Sequence, residues 1–250
     1  MPPPLDADLI HAHTPPRAQG RLRLRCFSAG DREALVRMHR DPRVRELLID
    51  DFSFDRHGHA SAFLDRLQGF YLAHPGLGIW AAEHWVTALS PDDPGYRDAE
   101  QSLSPAVLAR LTQPQPRFVG WFNLMPIPEQ PEEVELGCRL VPAVWGSGLV
   151  MDGGAQLLDH AFGLLGRKRV WAICHPRHAA VHLRLRMLGF EHEGVRPYEG
   201  NPARYFVIDA PSWQRERLRP LATRRREALR WVQAHDHRHA EASSAQVFGD

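Results

Sequence analysis

Residues 21–27, RLRLRCF, alternate arginine with Leu22, Leu24 and Cys26, a period of two that predicts a half-buried strand. The segment SAGDREALVRMHRDP puts Leu35, Val36 and His39 on one helical face, with Ser28 or Asp31 as cap and a stop before Pro42. A second helix is predicted over about 55–73, its stripe formed by Phe63, Leu64, Leu67, Phe70 and Tyr71, and IWAAEHWV (79–86) resumes strand character. Residues 88–116 are rich in Pro, Ser, Asp and Gln, with one short helical patch, AVLARL, and read as an inserted loop of functional length. RFVGWFNLMP (117–126) and EVELGCRLV (133–141) read as neighbouring strands across a proline-rich turn. In the second, Val134, Leu136, Cys138 and Leu140 share one face, and Glu133, Glu135, Gly137 and Arg139 the other.

A helix with Leu157, Leu158, Ala161, Phe162 and Leu165 on its inner face follows, then a short buried strand, KRVWAIC (168–174). RHAAVHLRLRMLGF predicts a helix ending at Gly189 in a left-handed cap, and FEHEGVRPY and ARYFVIDA a closing hairpin. From Pro211 the pattern is helical, interrupted at Pro220, with Trp213, Leu218, Leu221, Leu229, Trp231 and Val232 available to pack it back on the domain. The chain divides accordingly into a mobile arm (1–20), one domain (21–210) with its insertion at 88–116, a helical extension (211–240) and a disordered tail (241–250).

Composition narrows the function classes. Hydrophobic residues make up 43% and charged residues 24% of 250, enough for a full core in a soluble protein, and a net charge of +1 gives no global argument for nucleic acid or an anionic membrane. Cys26, Cys138 and Cys174 are far apart in apolar-alternating stretches, so neither a disulfide framework nor a zinc knuckle is indicated. The first residues lack a basic segment followed by an apolar core, and no long apolar run occurs, so the protein reads as cytoplasmic. HAHTPP and HDHRH (235–239) hold imidazoles without helical ligand spacing or carboxylate support, and no metal site is expected.

Gly146, Gly148, Gly153 and Gly154 stand directly ahead of a helix that they weaken. Strand, Gly-x-Gly, helix leaves unpaired backbone N–H groups at a helix start, where the macrodipole favours an anion such as a diphosphate. A P-loop is excluded because Leu149 and Val150 stand where Lys and Ser/Thr are needed, and the dinucleotide fingerprint because KRVWAICH ends without an acidic residue. A plainer account is a tight turn at Gly146 and Gly148, with Gly153 and Gly154 permitting close helix–sheet packing.

In order and spacing these pieces, from about 21 to 209, resemble the GNAT (general N-acetyltransferase) superfamily, in particular its ribosomal-protein N-terminal acetyltransferase branch. The resemblance rests on RLRLRCFSAGDREALVRMHRDPRVRELL, FVGWFNL, EVELGCRLVPAVWGSGLVMDGGAQLLDHAF and RVWAICHPRHAAVHLRLRMLGFEHEG. It implies an α/β (α+β) fold, a mixed, mostly antiparallel twisted sheet with splayed central strands flanked by helices. It further implies coenzyme A, carried as acetyl-CoA, with its diphosphate on the backbone of Trp145, Gly146, Ser147, Gly148, Leu149, Val150 and Met151. Pantetheine would lie along Cys138 and Leu140, where that strand parts from Val170–Cys174. The following helix departs from the pattern, with His178 and Val181 where Asn and Ser are usual and Leu185 where many relatives carry a tyrosine acid.

The implied reaction moves an acetyl group to a primary amine, of a protein N-terminus or a small molecule, by direct transfer in one ternary complex. Glu135 is the candidate base, because strand alternation turns it to the open face, although pairing with Arg139 would explain it equally well. His175 and His178 are weaker candidates, since imidazole titrates near working pH. Acceptor contacts are expected from loops at 50–60, 88–116 and 195–203. Two other classes stay open: a degenerate acyl-CoA-binding module that does not catalyse, and an RNA- or ribosome-associated protein using 211–239, where eight arginines face Glu216, Glu227 and Asp236. The oligomeric state is open, a homodimer included.

Overall fold

In the computed structural model, which describes residues 22–50, 54 and 57–245, the period-two segments become the strands of one seven-stranded sheet. In chain order the elements are β1 (Leu22–Cys26), α1 (Arg32–Arg40), a single turn α2 (Pro42–Arg45), α3 (His57–Ala73), β2 (Gly78–Val86), α4 (Tyr96–Ser102), α5 (Pro105–Thr112), β3 (Gln115–Ile127) and β4 (Gln130–Leu140). There follow α6 (Leu149–Asp159), β5 (Arg169–Cys174), α7 (Ala179–Leu188), β6 (Glu191–Tyr198), β7 (Asn201–Asp209), α8 (Ala210–Glu216) and α9 (Leu221–Ala245). Side chains beyond 235 are not described. The arm at 1–20, with HAHTPP, lies outside the described residues.

The sheet order is β1-β2-β3-β4-β5-β7-β6. Every pairing is antiparallel except that of β4 with β5. The expected mixed, mostly antiparallel sheet with helices around it is therefore the fold. One core runs through it, with Trp80, Phe122, Leu124, Val134, Val170 and Phe206 at most 1% exposed on the central strands. Burying one such side chain contributes roughly 2 kcal/mol, so these six residues are among the main stabilising contacts of the central strands.

Local chemistry sets the element ends. Ser28 and Asp31 form a capping box ahead of α1, and Asp31 also receives both ends of the Arg25 guanidinium, at 2.7 and 2.8 Å. Gly189 ends α7 at φ 94, as the Gly189 cap predicts. Pro220 separates α8 from α9, since it has no N–H to continue a helix.

Three expectations are corrected. Residues 88–116 are not a loop with one helical patch: α4 and α5 occupy most of it, each started by a local cap or turn, and Ser104 Oγ accepts from the Val107 amide. Residues 241–245 of the expected tail are helical, as the end of α9, and 246–250 lie outside the described residues. The extension packs through a narrower set than its apolar letters suggest: Trp213 is 1% exposed and Ala228 is buried, whereas Leu218 is 84% exposed and Leu221 and Leu229 also face solvent. Trp213 is fixed by its indole N–H, which donates to Asp159 at 2.8 Å.

Candidate active site

Between β4 and α6 the chain makes a turn that only glycine enters without strain. Gly146 has φ 83, and Gly148, the residue capping α6, has φ 90. A Cβ at either would meet nothing within 4 Å, so conformation, and not crowding, demands glycine there, and the space beside both is open. Gly153 and Gly154 serve the other purpose. A Cβ at 153 would stand 2.2 Å from the Phe122 ring on β3, and one at 154 would stand 2.7 Å from Leu188 on α7. The four glycines thus divide into two that shape a turn and two that let α6 approach its neighbours.

The turn closes on itself in part. Trp145 N donates to Pro142 O, Ser147 N and Oγ both donate to Val144 O, and Met151 N and Asp152 N donate to Gly148 O. Leu149 N reaches Ser147 Oγ at 3.4 Å. Among the described residues the amides of Gly146, Gly148 and Val150 find no acceptor. Three free donors within five residues, at the positive end of an eleven-residue helix, suit a phosphorylated anion. Val150 and Met151 turn their side chains against the core, leaving the main chain to face such a ligand.

Beyond the turn the sheet opens. β4 and β5 pair only at Glu133–Arg169, Val134–Val170 and Glu135–Trp171. From there β4 runs on to Leu140 and β5 to Cys174 without a mutual bond, which is the expected splay. Leu140 is buried, and its carbonyl accepts from the Trp145 indole at 2.9 Å, which ties the exposed Trp145 ring to the strand end. Cys138 lies in the opening. Burial pushes its thiol up to about 12, so it stays protonated and acts as an apolar wall, not a nucleophile. The residues present therefore fit coenzyme A: free amides for the diphosphate, and an unpaired strand margin for pantetheine.

A cavity of about 950 Å³ adjoins the opening, walled by β3, β4 and β5, by the segment before α3 and by the β6–β7 hairpin. Glu135 is in its wall, as alternation predicts. Its carboxylate makes no hydrogen bond or ion pair with any described residue, and Arg139 binds Asp50 at 2.5 Å instead of Glu135. Burial, reinforced by the charges of Asp50 and Glu199, raises the Glu135 carboxyl to about 7. Glu133, two residues earlier, is held by Arg169 and by the Trp171 indole.

His178 does not join Glu135. It precedes α7, where its carbonyl accepts from Val181 N and His182 N, and it is absent from the cavity wall; burial and the charge of His175 lower its imidazole. Leu185 is in the core. Of the three loops expected to form the acceptor site, 50–60 supplies Asp50 and Phe54, and 195–203 supplies Arg196, Tyr198 and Glu199, whereas 88–116 supplies none; the β3–β4 turn from Pro126 to Gln130 stands in that place. Sequence reasoning did not single out Tyr198. Its phenol, pushed up to about 12 by burial and by Glu135, Glu199 and Asp50, stays protonated.

A strand margin opened beside a glycine turn, with an isolated carboxyl in the adjoining cavity, is an arrangement that acyl transfer from a thioester carrier could use. Residues 21–191 match the family model of the acetyltransferase (GNAT) domain, and the chain belongs to that family. Over 60 residues it is 37% identical to FsC-acetyl coenzyme A-N(2)-transacetylase of Aspergillus fumigatus, a match spanning 21% of this chain and 26% of the length of that curated relative. The fold is similar to Mycobacterium smegmatis RimJ in complex with CoA-disulfide (TM-score 0.56, 16% identity, 81% of this chain and 87% of that one). It is also similar to Vibrio cholerae spermidine N-acetyltransferase in complex with CoA and spermine (TM-score 0.54, 15% identity, 78% and 98%).

Proposed function

We propose that the protein transfers an acetyl group from acetyl-CoA to a primary amine within one ternary complex, with Glu135 as the base. Acetyl-CoA supplies a thioester whose acyl carbon is open to attack by an amine that has lost its proton. The observation that carries the reading is the isolation of Glu135: the last residue of β4 to pair with β5, at the mouth of the splay, with no side-chain partner among the described residues. Family membership and the CoA named in two structural neighbours support the choice of donor.

The residues divide the work. Amides at Gly146, Gly148 and Val150 hold the diphosphate, while Trp145, Ser147, Leu149 and Met151 form the rest of the turn. Cys138 and Leu140 flank the pantetheine arm, and His178 stands on the far side of the opening. Glu135 Oε accepts the amine proton, directly or through a water. With its pKa about 7, below the ordinary thiol value of about 8.5, the loaded carboxyl can return that proton to the departing thiolate. Tyr198, at about 12, is the weaker acid and serves as a hydrogen-bond donor in the same cavity.

The placement in the ribosomal-protein N-terminal acetyltransferase branch belongs to the same proposal, and its support is the ordered resemblance from 21 to 209. Thiol release from acetyl-CoA with amines and peptides tests the reaction, and Glu135→Gln tests the base. The variant should lose about a hundredfold or more in turnover while binding acetyl-CoA as wild type does. Unchanged turnover refutes the assignment of Glu135, and binding without turnover on any amine makes the protein an acyl-CoA-binding module.

A further inference from the structure

Two arginines wall the cavity, and they are engaged differently. Arg139 is committed, with Asp50 at 2.5 Å and its guanidinium 5.1 Å from the centre of the Trp121 ring. Arg196, exposed at the rim on β6, has no carboxylate partner among the described residues. Its guanidinium lies over two rings of the cavity wall, 4.2 Å from the centre of Tyr205 and 5.6 Å from that of Trp171. Trp171 is the β5 residue directly opposite Glu135 in the ladder. Stacking occupies the flat face of a guanidinium and leaves its N–H edge for a planar anion, so Arg196 is held without being neutralised.

Glu199 is a free carboxylate three residues further along the same hairpin, yet it forms no ion pair with Arg196. Its charge acts instead on Glu135 and Tyr198, together with that of Asp50. Besides the Arg139–Asp50 pair, the cavity therefore holds two carboxylates, Glu135 and Glu199, and one cation, Arg196 over Trp171 and Tyr205, that make no ion pair among the described residues. A polycation would meet Arg196 and find the faces of Trp121, Trp171 and Tyr205 already taken by guanidinium groups. A plain amine would leave Arg196 unanswered.

We infer that the acceptor is an amino carboxylate, whose amine is received on the Glu135 and Glu199 side and whose carboxylate is received by Arg196. This rests on the reading of the cavity as an amine site. Arg196 is then a specificity residue, separate from the proton transfer.

The test uses the full chain and matched probes: free α- and ω-amino acids, their carboxamides, and diamines of equal length. Calorimetry with and without CoA reads binding, and thiol release reads turnover. The free acid should exceed its carboxamide by about tenfold or more, the scale of one bidentate charge-assisted contact, and the diamine should be the poorest of each set. In Arg196→Gln, whose exposed position spares the core, the ratio of acid to carboxamide should fall to about one, while Arg196→Lys should keep part of it. An acid no better than its carboxamide, a preference for diamines, no binding by any probe at millimolar concentration, or a ratio that survives Arg196→Gln each overturns the inference. Failure to bind acetyl-CoA refutes the transferase reading instead, and the calorimetric ratio still decides the role of Arg196.

Discussion

Glu133 and Glu135 share one strand and one side of it, and their neighbours separate them. Glu133 accepts from Arg169 and Trp171, whereas Glu135 faces only Asp50 and Glu199 across a partly apolar cavity. Alternation identified Glu135 in the sequence but could not distinguish it from Glu133, because the partners that disarm Glu133 lie 36 and 38 residues away. For the same reason the sequence pointed to the segments 50–60 and 195–203 without singling out Asp50, Arg196, Tyr198 or Glu199, which reach the cavity only when the hairpin and the segment before α3 close on β4. Two pH effects follow from a carboxyl raised to about 7 against an ordinary 4.5. The rate should climb with pH through a limb near 7, since only the ionised form accepts a proton, and the limb should be missing from any residual activity of Glu135→Gln. Folding is favoured by the protonated form, so wild type is unpenalised below about 4.5 and loses stability as pH rises to about 7. Glu135→Gln should therefore be more stable than wild type by on the order of 2 kcal/mol at pH 8 and by little at pH 4, read from urea unfolding. Equal gains at both values would contradict the buried, raised carboxyl.

At the scale of elements the glycine turn explains why a weakened helix start was retained. The letters suggested both a phosphate seat and a turn with close packing; the backbone gives a left-handed turn to Gly146 and Gly148 and the close packing to Gly153 and Gly154. Gly148→Asp should weaken acetyl-CoA binding by tenfold or more, because it forces an L-residue into a left-handed conformation and brings negative charge to a site for an anion. An unchanged dissociation constant would separate the turn from the cofactor. Gly153→Ala should cost roughly 1–3 kcal/mol in stability by driving a methyl group into Phe122, and Phe122→Leu should recover part of that loss in the double variant. If the two changes simply add, α6 does not rest on β3 as the contact requires. Strand boundaries, by contrast, were legible to within three residues, the largest miss being the start of β4 at Gln130 and not Glu133, since period-two alternation is local. Within 88–116 the patch AVLARL was legible and became α5, begun by Pro105, whereas α4, YRDAEQS, was missed because it carries no apolar stripe and buries no residue.

For the whole molecule, α9 packs against α7 and the β6–β7 hairpin. Trp231 stacks on His235 at 4.2 Å and lies beside His192 and Phe206, covering the β6–β7 face. Of the eight arginines of the extension, Arg217 is engaged within the chain on Asp159, Arg219 on Glu216 and Glu227, and Arg224 on the Met187 carbonyl. A packing role accounts for these better than a partner does. No helix among the described residues is long and apolar enough to cross a membrane, and no group of metal-binding side chains is assembled among them. In the proposed function the glycine turn, the opening between β4 and β5 and the cavity hold successive parts of acetyl-CoA and its acceptor, and the central claim is that the backbone at 146–150 grips a diphosphate. Amide chemical shifts of Gly146, Gly148 and Val150, followed while the protein is titrated with coenzyme A and separately with pantetheine, test it most directly. All three should move with coenzyme A and stay in place with pantetheine, which lacks the diphosphate; shifts that are absent, or equal for both compounds, would contradict the account.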